Sequence, residues 1–166
     1  MPLVTLKAAL AAQKRGSAVG AFTVVAREEV QAVVHAAEAE RQPVVVQASP
    51  KQVHAAGLEA LCAEVIAIAG HARVPVAFQL DHARELADVY PALRHGFSSI
   101  MYDASELPFD DNVAVTRQVV DLCHAMGVTV EGELGHVGGV EDDVEGGDSV
   151  YTDPEQAVRY VAETGV

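Results

Sequence analysis

Five apolar runs recur along the chain, and each is followed by a segment with helical periodicity. "SAVGAFTV" leads into "AREEVQAVVHAAEAER", and "PVVVQAS" into "PKQVHAAGLEALCAEVIAIAGHAR". "VPVAFQL" precedes "RELADVYPALRHG", with Pro91 expected to kink or restart that helix. "SSIMYDAS" precedes "PFDDNVAVTRQVVDLCHAMG", and "VTVEGEL" runs through the Gly-rich acidic loop "GHVGGVEDDVEGGDS" to "YTDPEQAVRYVAETG". Continuous apolar strands joined by helical crossovers require a parallel sheet covered by helices. Residues 18–24, 43–49, 74–80, 98–104 and 129–134 are therefore expected to lie side by side as parallel strands in sequential order. Residues 1–16 form an amphipathic first helix on this reading. Their apolar stretches are too short and too interrupted for a signal peptide or a membrane span.

A parallel sheet of this kind is either doubly wound or a (β/α)8 barrel, and in both the chemistry sits at the carboxyl ends of the strands. No GxGxxG follows the first strand, which speaks against a dinucleotide fold. The α/β barrel is favoured, although a full one takes roughly 250 residues. The 166 residues, read as one domain over 1–166, hold about the first five β/α units of such an incomplete barrel. Five strands leave two open edges and an exposed apolar interior, so association is expected, as a homo-oligomer or with a chain supplying the missing strands.

The polar residues follow the strand-end rule. Ser49 ends the second strand, Asp81 and His82 the third, Asp103 and Ser105 the fourth, Glu131 and Glu133 the fifth. Imidazole is a good ligand for zinc or cobalt, and carboxylates on neighbouring strands supply hard oxygens, so His82, Asp103 and Glu133 could converge on one cation. The competing reading has His82 capping the next helix and the carboxylates serving as N-caps or holding loop amides. Asp81 is either the orienting partner of a metal ligand or a general acid/base. Of Glu131 and Glu133, one is expected to face the barrel axis and the other to turn away. In "GGVEDDV", the alternatives are a solvated turn and a lid that brings Glu141 or Asp142 to the substrate. The remaining histidines are read as surface or packing residues.

Composition narrows the partners. The net charge of −13 leaves no basic patch for nucleic acid or an anionic membrane. Cys62 and Cys123 sit inside apolar helical patterns, as buried thiols suited to a reducing cytoplasm.

The pieces "GAFTV", "PVVVQASP", "VAFQLDHA", "SSIMYDASELPFDDNVAVTRQVVDLCHAMGVTVEGELGHVGGVEDD" and "YTDPEQAVRYVAETGV" resemble the class II, metal-dependent fructose-bisphosphate and tagatose-bisphosphate aldolases. The resemblance implies a TIM barrel and reversible cleavage of a phosphorylated ketose, fructose or tagatose 1,6-bisphosphate, to dihydroxyacetone phosphate and glyceraldehyde 3-phosphate. It implies that Asp81 exchanges the proton of the aldehyde-side hydroxyl and that Glu141 transfers a proton at the dihydroxyacetone carbon. It further implies that His82 binds zinc, with Asp103 and Glu133 as alternative or second-metal ligands, and that Ser49 touches substrate. The chain departs from the family at Thr23, where "AFNV" is usual, and at Ala83, where "DHG" or "DHH" is common. The family's other two zinc histidines and its phosphate-binding backbone sites fall on later strands, so the chain is expected to be inactive alone. The alternatives are a non-catalytic binding or assembly module and one partner of a split barrel.

Overall fold

A computed structural model describes residues 3–135, 140–141, 144–145 and 150–166, with side chains for 3–135 and 150–166. Five strands form the body of one sheet: β2 (Gly20–Thr23), β3 (Val44–Ala48), β4 (Val76–Ala83), β5 (Ser99–Tyr102) and β6 (Thr129–Gly132), numbered after a short β1 (Leu3–Val4). They pair in the order β2-β3-β4-β5-β6 and every neighbour is parallel, as the alternation requires. The crossovers are α2 (Arg27–Glu40), α3 (Pro50–Ala56) with α4 (Leu58–His71), α5 (Leu86–Arg94) and α6 (Phe109–Ala125), and α7 (Pro154–Thr164) follows β6. This is the architecture of part of a TIM barrel, five sequential β/α strands with the sheet left open.

Period two along the strands divides the side chains between two faces. Val44, Val46, Val76, Phe78, Leu80, Ile100 and Val130 face the helices and form the main core with Val34, Leu61, Val65 and Val89. Phe78 stacks on Phe97 with ring centroids 3.8 Å apart. The other face is concave and small-sided at its amino end, where Val45 and Ala77 meet Ala9 of α1 (Leu6–Ala12). Further along the same face it turns polar through Gln47, Gln79 and Ser99. Gln79 Oε1 and Ser99 Oγ are buried there without a hydrogen-bond partner among the described residues.

Two expectations need correction, and at Pro91 the restart is removed from the two alternatives. The amino-terminal segment is not helix alone: Leu3 and Val4 pair with Val76 and Ala77. They occupy the flank of β4 that β5 takes only from Gln79 onward. The helix expected over "PKQVHAAGLEALCAEVIAIAGHAR" is two, bent by 95° at Gly57, whose φ of +84° is costly for any side chain. The bend lets α4 lay Leu61, Cys62, Val65 and Ala69 on the core. α5 passes through Pro91 as a single helix. Within the acidic loop, Val140–Glu141 (β7) pairs antiparallel with Val144–Glu145 (β8). His136 and Asp142 lie outside the described residues, as does the side chain of Glu141.

Both cysteines are buried, as expected, and burial pushes each thiol up to about 11. β2 and β6 are the outermost strands of the sheet among the described residues. All four residues of β2 are exposed, and Phe22 is 51% accessible. Beside β6 a cavity of about 670 Å³ runs between Gly132, Leu134, Tyr151, Tyr160 and Val161. α7 leaves Val158 74% exposed, an apolar surface that no described residue covers.

Candidate metal centre

The carboxyl end of β4 departs from regular pairing. Gln79 and Leu80 face Ser99 and Ile100, but the next pair is Ala83 with Tyr102. Three steps on β4 therefore match two on β5, which is a β-bulge. Leu80 and Ala83 both point into the helix-side core, at 1% and 0% exposure. The two residues between them are left on the concave face together. His82 carries φ +51°, a left-handed conformation that a side chain resists by about 1–3 kcal/mol. The strain places an acid and an imidazole side by side where a regular strand would send them to opposite faces.

His82 Nδ1 lies 3.4 Å from Asp103 Oδ2 and 3.6 Å from Glu133 Oε2. One donor atom from each of the three residues falls within 4.8 Å of the others. The convergence read from the strand ends is present, and His82 does not cap α5, whose N-cap is Glu85. Part of the competing reading also holds: Asp103 Oδ1 accepts from the Ser105 N–H at 3.0 Å and its hydroxyl at 2.7 Å.

The electrostatics favour positive charge at the site. The hydrogen bond to Asp103 pushes the His82 imidazole up to about 9, against the opposing effect of burial and with help from the charges of Asp81, Glu133 and Asp103. For Asp103, burial alone would raise the pKa. Hydrogen bonds from His82, Ser105 and Arg84 outweigh it and hold the carboxyl far below the usual carboxylate range. A field that favours an extra proton on His82 also favours a divalent ion, and one imidazole with two carboxylates is a suitable donor set for zinc. The residues present fit such an ion.

This gives a pH prediction for the metal-free chain. A raised histidine pKa stabilises the fold fully below about 6.5 and loses that contribution as pH rises through about 9. The lowered Asp103 pKa acts elsewhere, its contribution being lost only as pH falls below 3.8. Denaturation midpoints should therefore fall between pH 6.5 and about 9, and His82→Gln should flatten that slope. An unchanged slope in the variant would remove His82 as its source.

Asp81 faces the concave side, and Gln47 Nε2 donates to its Oδ2 at 2.8 Å. Glu131 and Glu133, expected to diverge, share the concave face because they are two residues apart on an extended chain. Glu131 accepts from Gln79 Nε2 at 3.1 Å. Ser49 is 3% exposed and caps α3, accepting the Gln52 N–H at 3.5 Å while its own N–H donates to Gln52 Oε1 at 2.7 Å. Glu141 lies in β7, and its side chain is outside the described residues. The other described histidines stay away from the site, with His35, His54, His71 and His124 exposed and His95 half-buried.

Several residues at the site carry no spacing signal. Gln47 is legible only as an amide inside "VVVQA". Asn112, 1% exposed on α6, donates from Nδ2 to the Glu133 carbonyl at 2.9 Å and so fixes the backbone of a candidate ligand. Its Oδ1 is shared by Thr116 Oγ1 and Tyr160 Oη, each 3.0 Å away, and Tyr160 Oη is also 2.8 Å from Thr116 Oγ1. Gly132 makes room for this, since a Cβ there would collide with the Tyr160 hydroxyl. Tyr160→Phe removes the one hydroxyl proton that two buried oxygens share and should cost about 1–3 kcal/mol in urea unfolding. A loss below about 0.5 kcal/mol would show that the hydroxyl is dispensable.

A bulged strand end carrying acid and histidine, on a parallel sheet with converging carboxylates, defines a protein of the TIM-barrel class with a candidate metal site. The model of the class II fructose-bisphosphate aldolases matches residues 4–166. The chain therefore belongs to the class II fructose-bisphosphate aldolase family. It is 32% identical to the YdjI aldolase from Escherichia coli K12, with TM-score 0.84 over 98% of this chain and 62% of that one. A putative fructose-1,6-bisphosphate aldolase from Coccidioides immitis gives 32% identity and TM-score 0.85 over 97% and 57%. The fructose-bisphosphate aldolase of Campylobacter jejuni gives 27% and 0.76 over 96% and 52%. The chain thus spans a little over half the length of these relatives.

Proposed function

We propose that this chain supplies the acid–base and part of the metal-binding machinery of an aldolase cleaving a ketose 1,6-bisphosphate, fructose or tagatose, in a reducing cytoplasm. The observation that carries the reading is Asp81 beside the His82–Asp103–Glu133 cluster, on one face of the β4 bulge. Zinc held by this cluster would act as a Lewis acid on the substrate ketone. Asp81, oriented by Gln47, takes the proton of the C4 hydroxyl as the C3–C4 bond breaks, and the aldehyde leaves. Glu141 returns a proton to C3, which completes dihydroxyacetone phosphate. Ser49, at the end of β3, contacts the substrate. The exposed edge of β2 and the cavity and bare apolar surface beside β6 support association, with further strands or with a second copy.

The test is coupled triose-phosphate release from both bisphosphates, using residues 1–166 mixed with a chain bearing the later strands of a relative. Metal-dependent turnover that a chelator stops and zinc restores supports the reading. A folded, zinc-loaded complex without turnover on either sugar would overturn it.

A further inference from the structure

Arg84 follows the bulge directly and has no part in the roles assigned so far. Its Nε and Nη2 donate to Asp103 Oδ2 at 3.1 and 2.7 Å. The same oxygen receives His82 Nδ1 at 3.4 Å, and Oδ1 receives both Ser105 donors. A carboxylate offers about four lone-pair positions, and here five donors from three residues converge on it. The Asp103 side chain is only 3% exposed, so no further approach is open. Arg84 is itself anchored: its carbonyl accepts from Tyr102 Oη at 2.9 Å, and its outer Nη1 reaches the exposed Glu106 at 3.5 Å.

We propose that Arg84 is a built-in cation at Asp103. Its guanidinium fills the oxygen a second divalent ion would need, so the site takes one ion, and Asp103 acts as the acceptor that orients His82. This rests on the metal reading above and narrows its ligands in this chain to His82 and Glu133, with Asp103 kept by Arg84. A divalent ion on Asp103 would have to displace two charge-assisted hydrogen bonds and sit against a fixed positive charge. With Nδ1 turned to Asp103, His82 keeps Nε2 as its ligating nitrogen, the arrangement by which carboxylates commonly set the orientation of metal-bound imidazoles.

The experiment uses manganese alone, with metal content by equilibrium dialysis and metal position by anomalous scattering in crystals of the 166-residue chain. In the unaltered protein no manganese should lie within about 2.0–2.6 Å of an Asp103 oxygen. Arg84→Gln should gain about one bound ion per chain, located on Asp103. Arg84→Lys, which keeps the charge, should gain none, and it decides the matter if the glutamine variant fails to fold. Manganese on Asp103 with Arg84 in place, a gain in Arg84→Lys, or a folded Arg84→Gln that binds no more than the parent would each overturn the proposal. Absence of manganese from His82 and Glu133 in the parent even at saturating, millimolar metal would count against the metal reading, while the gain in Arg84→Gln would still judge Arg84.

Discussion

Residues 1–166 assayed alone are expected to release no triose phosphate from fructose or tagatose 1,6-bisphosphate, with or without added zinc. The sheet explains why. Among the described residues it runs from β2 to β6 with the short β1 on β4, β2 being exposed throughout and β6 flanked by a cavity of about 670 Å³. The cluster offers one imidazole and two carboxylates, one of them already held by Arg84, so zinc should be held weakly. An open face does not exclude water or clamp the two ends of a bisphosphate. Fixing the reacting groups in position is worth roughly 7–11 kcal/mol of a barrier, and its loss by itself would slow turnover by about five orders of magnitude or more. Adding a chain with the later strands should restore the rate. Turnover by residues 1–166 alone, lost again in Asp81→Ala, would mean that the site is completed in some other way.

In the restored enzyme, Asp81→Ala and His82→Ala should separate proton transfer from metal binding. Asp81 touches Gln47 and faces the concave side of the sheet, but it is not among the three converging donors. Its removal should cost at least about 10²–10⁴ in kcat, the usual worth of a positioned acid or base, with zinc content nearly unchanged. His82 is the cluster's nitrogen ligand. Without it two carboxylates remain and both zinc and turnover should go. Asp81→Ala losing zinc in step with activity would reassign Asp81 to the ion. His82→Ala retaining stoichiometric zinc would place the ion elsewhere.

How much of this was legible along the chain depends on whether a feature is local. The apolar runs and helical periods predicted five parallel strands in order, because continuous burial on both faces and a helical crossover are properties of neighbouring residues. The polar strand ends predicted that His82, Asp103 and Glu133 would come together at one end of the sheet, as they do. Helix breaks were less readable: Gly57 divides one periodic segment because its left-handed backbone turns the chain by 95°. The pairing of Leu3–Val4 depends on a flank of β4 that only the start of β5 defines.

The order of the strands, the polarity of their carboxyl ends and the family motif were determined by the sequence itself. The tertiary structure alone decided which of those polar residues act together. A single extra residue in β4 puts Asp81 and His82 on one face, and it is visible only as a shift of register against β5. Gln47 reaches Asp81 across 34 residues of chain, Arg84 reaches Asp103 across 19, and Asn112 reaches the Glu133 carbonyl across 21. Such contacts are set by strand register and helix packing rather than by spacing along the chain, which is why the donors could be named from the sequence and their partners could not.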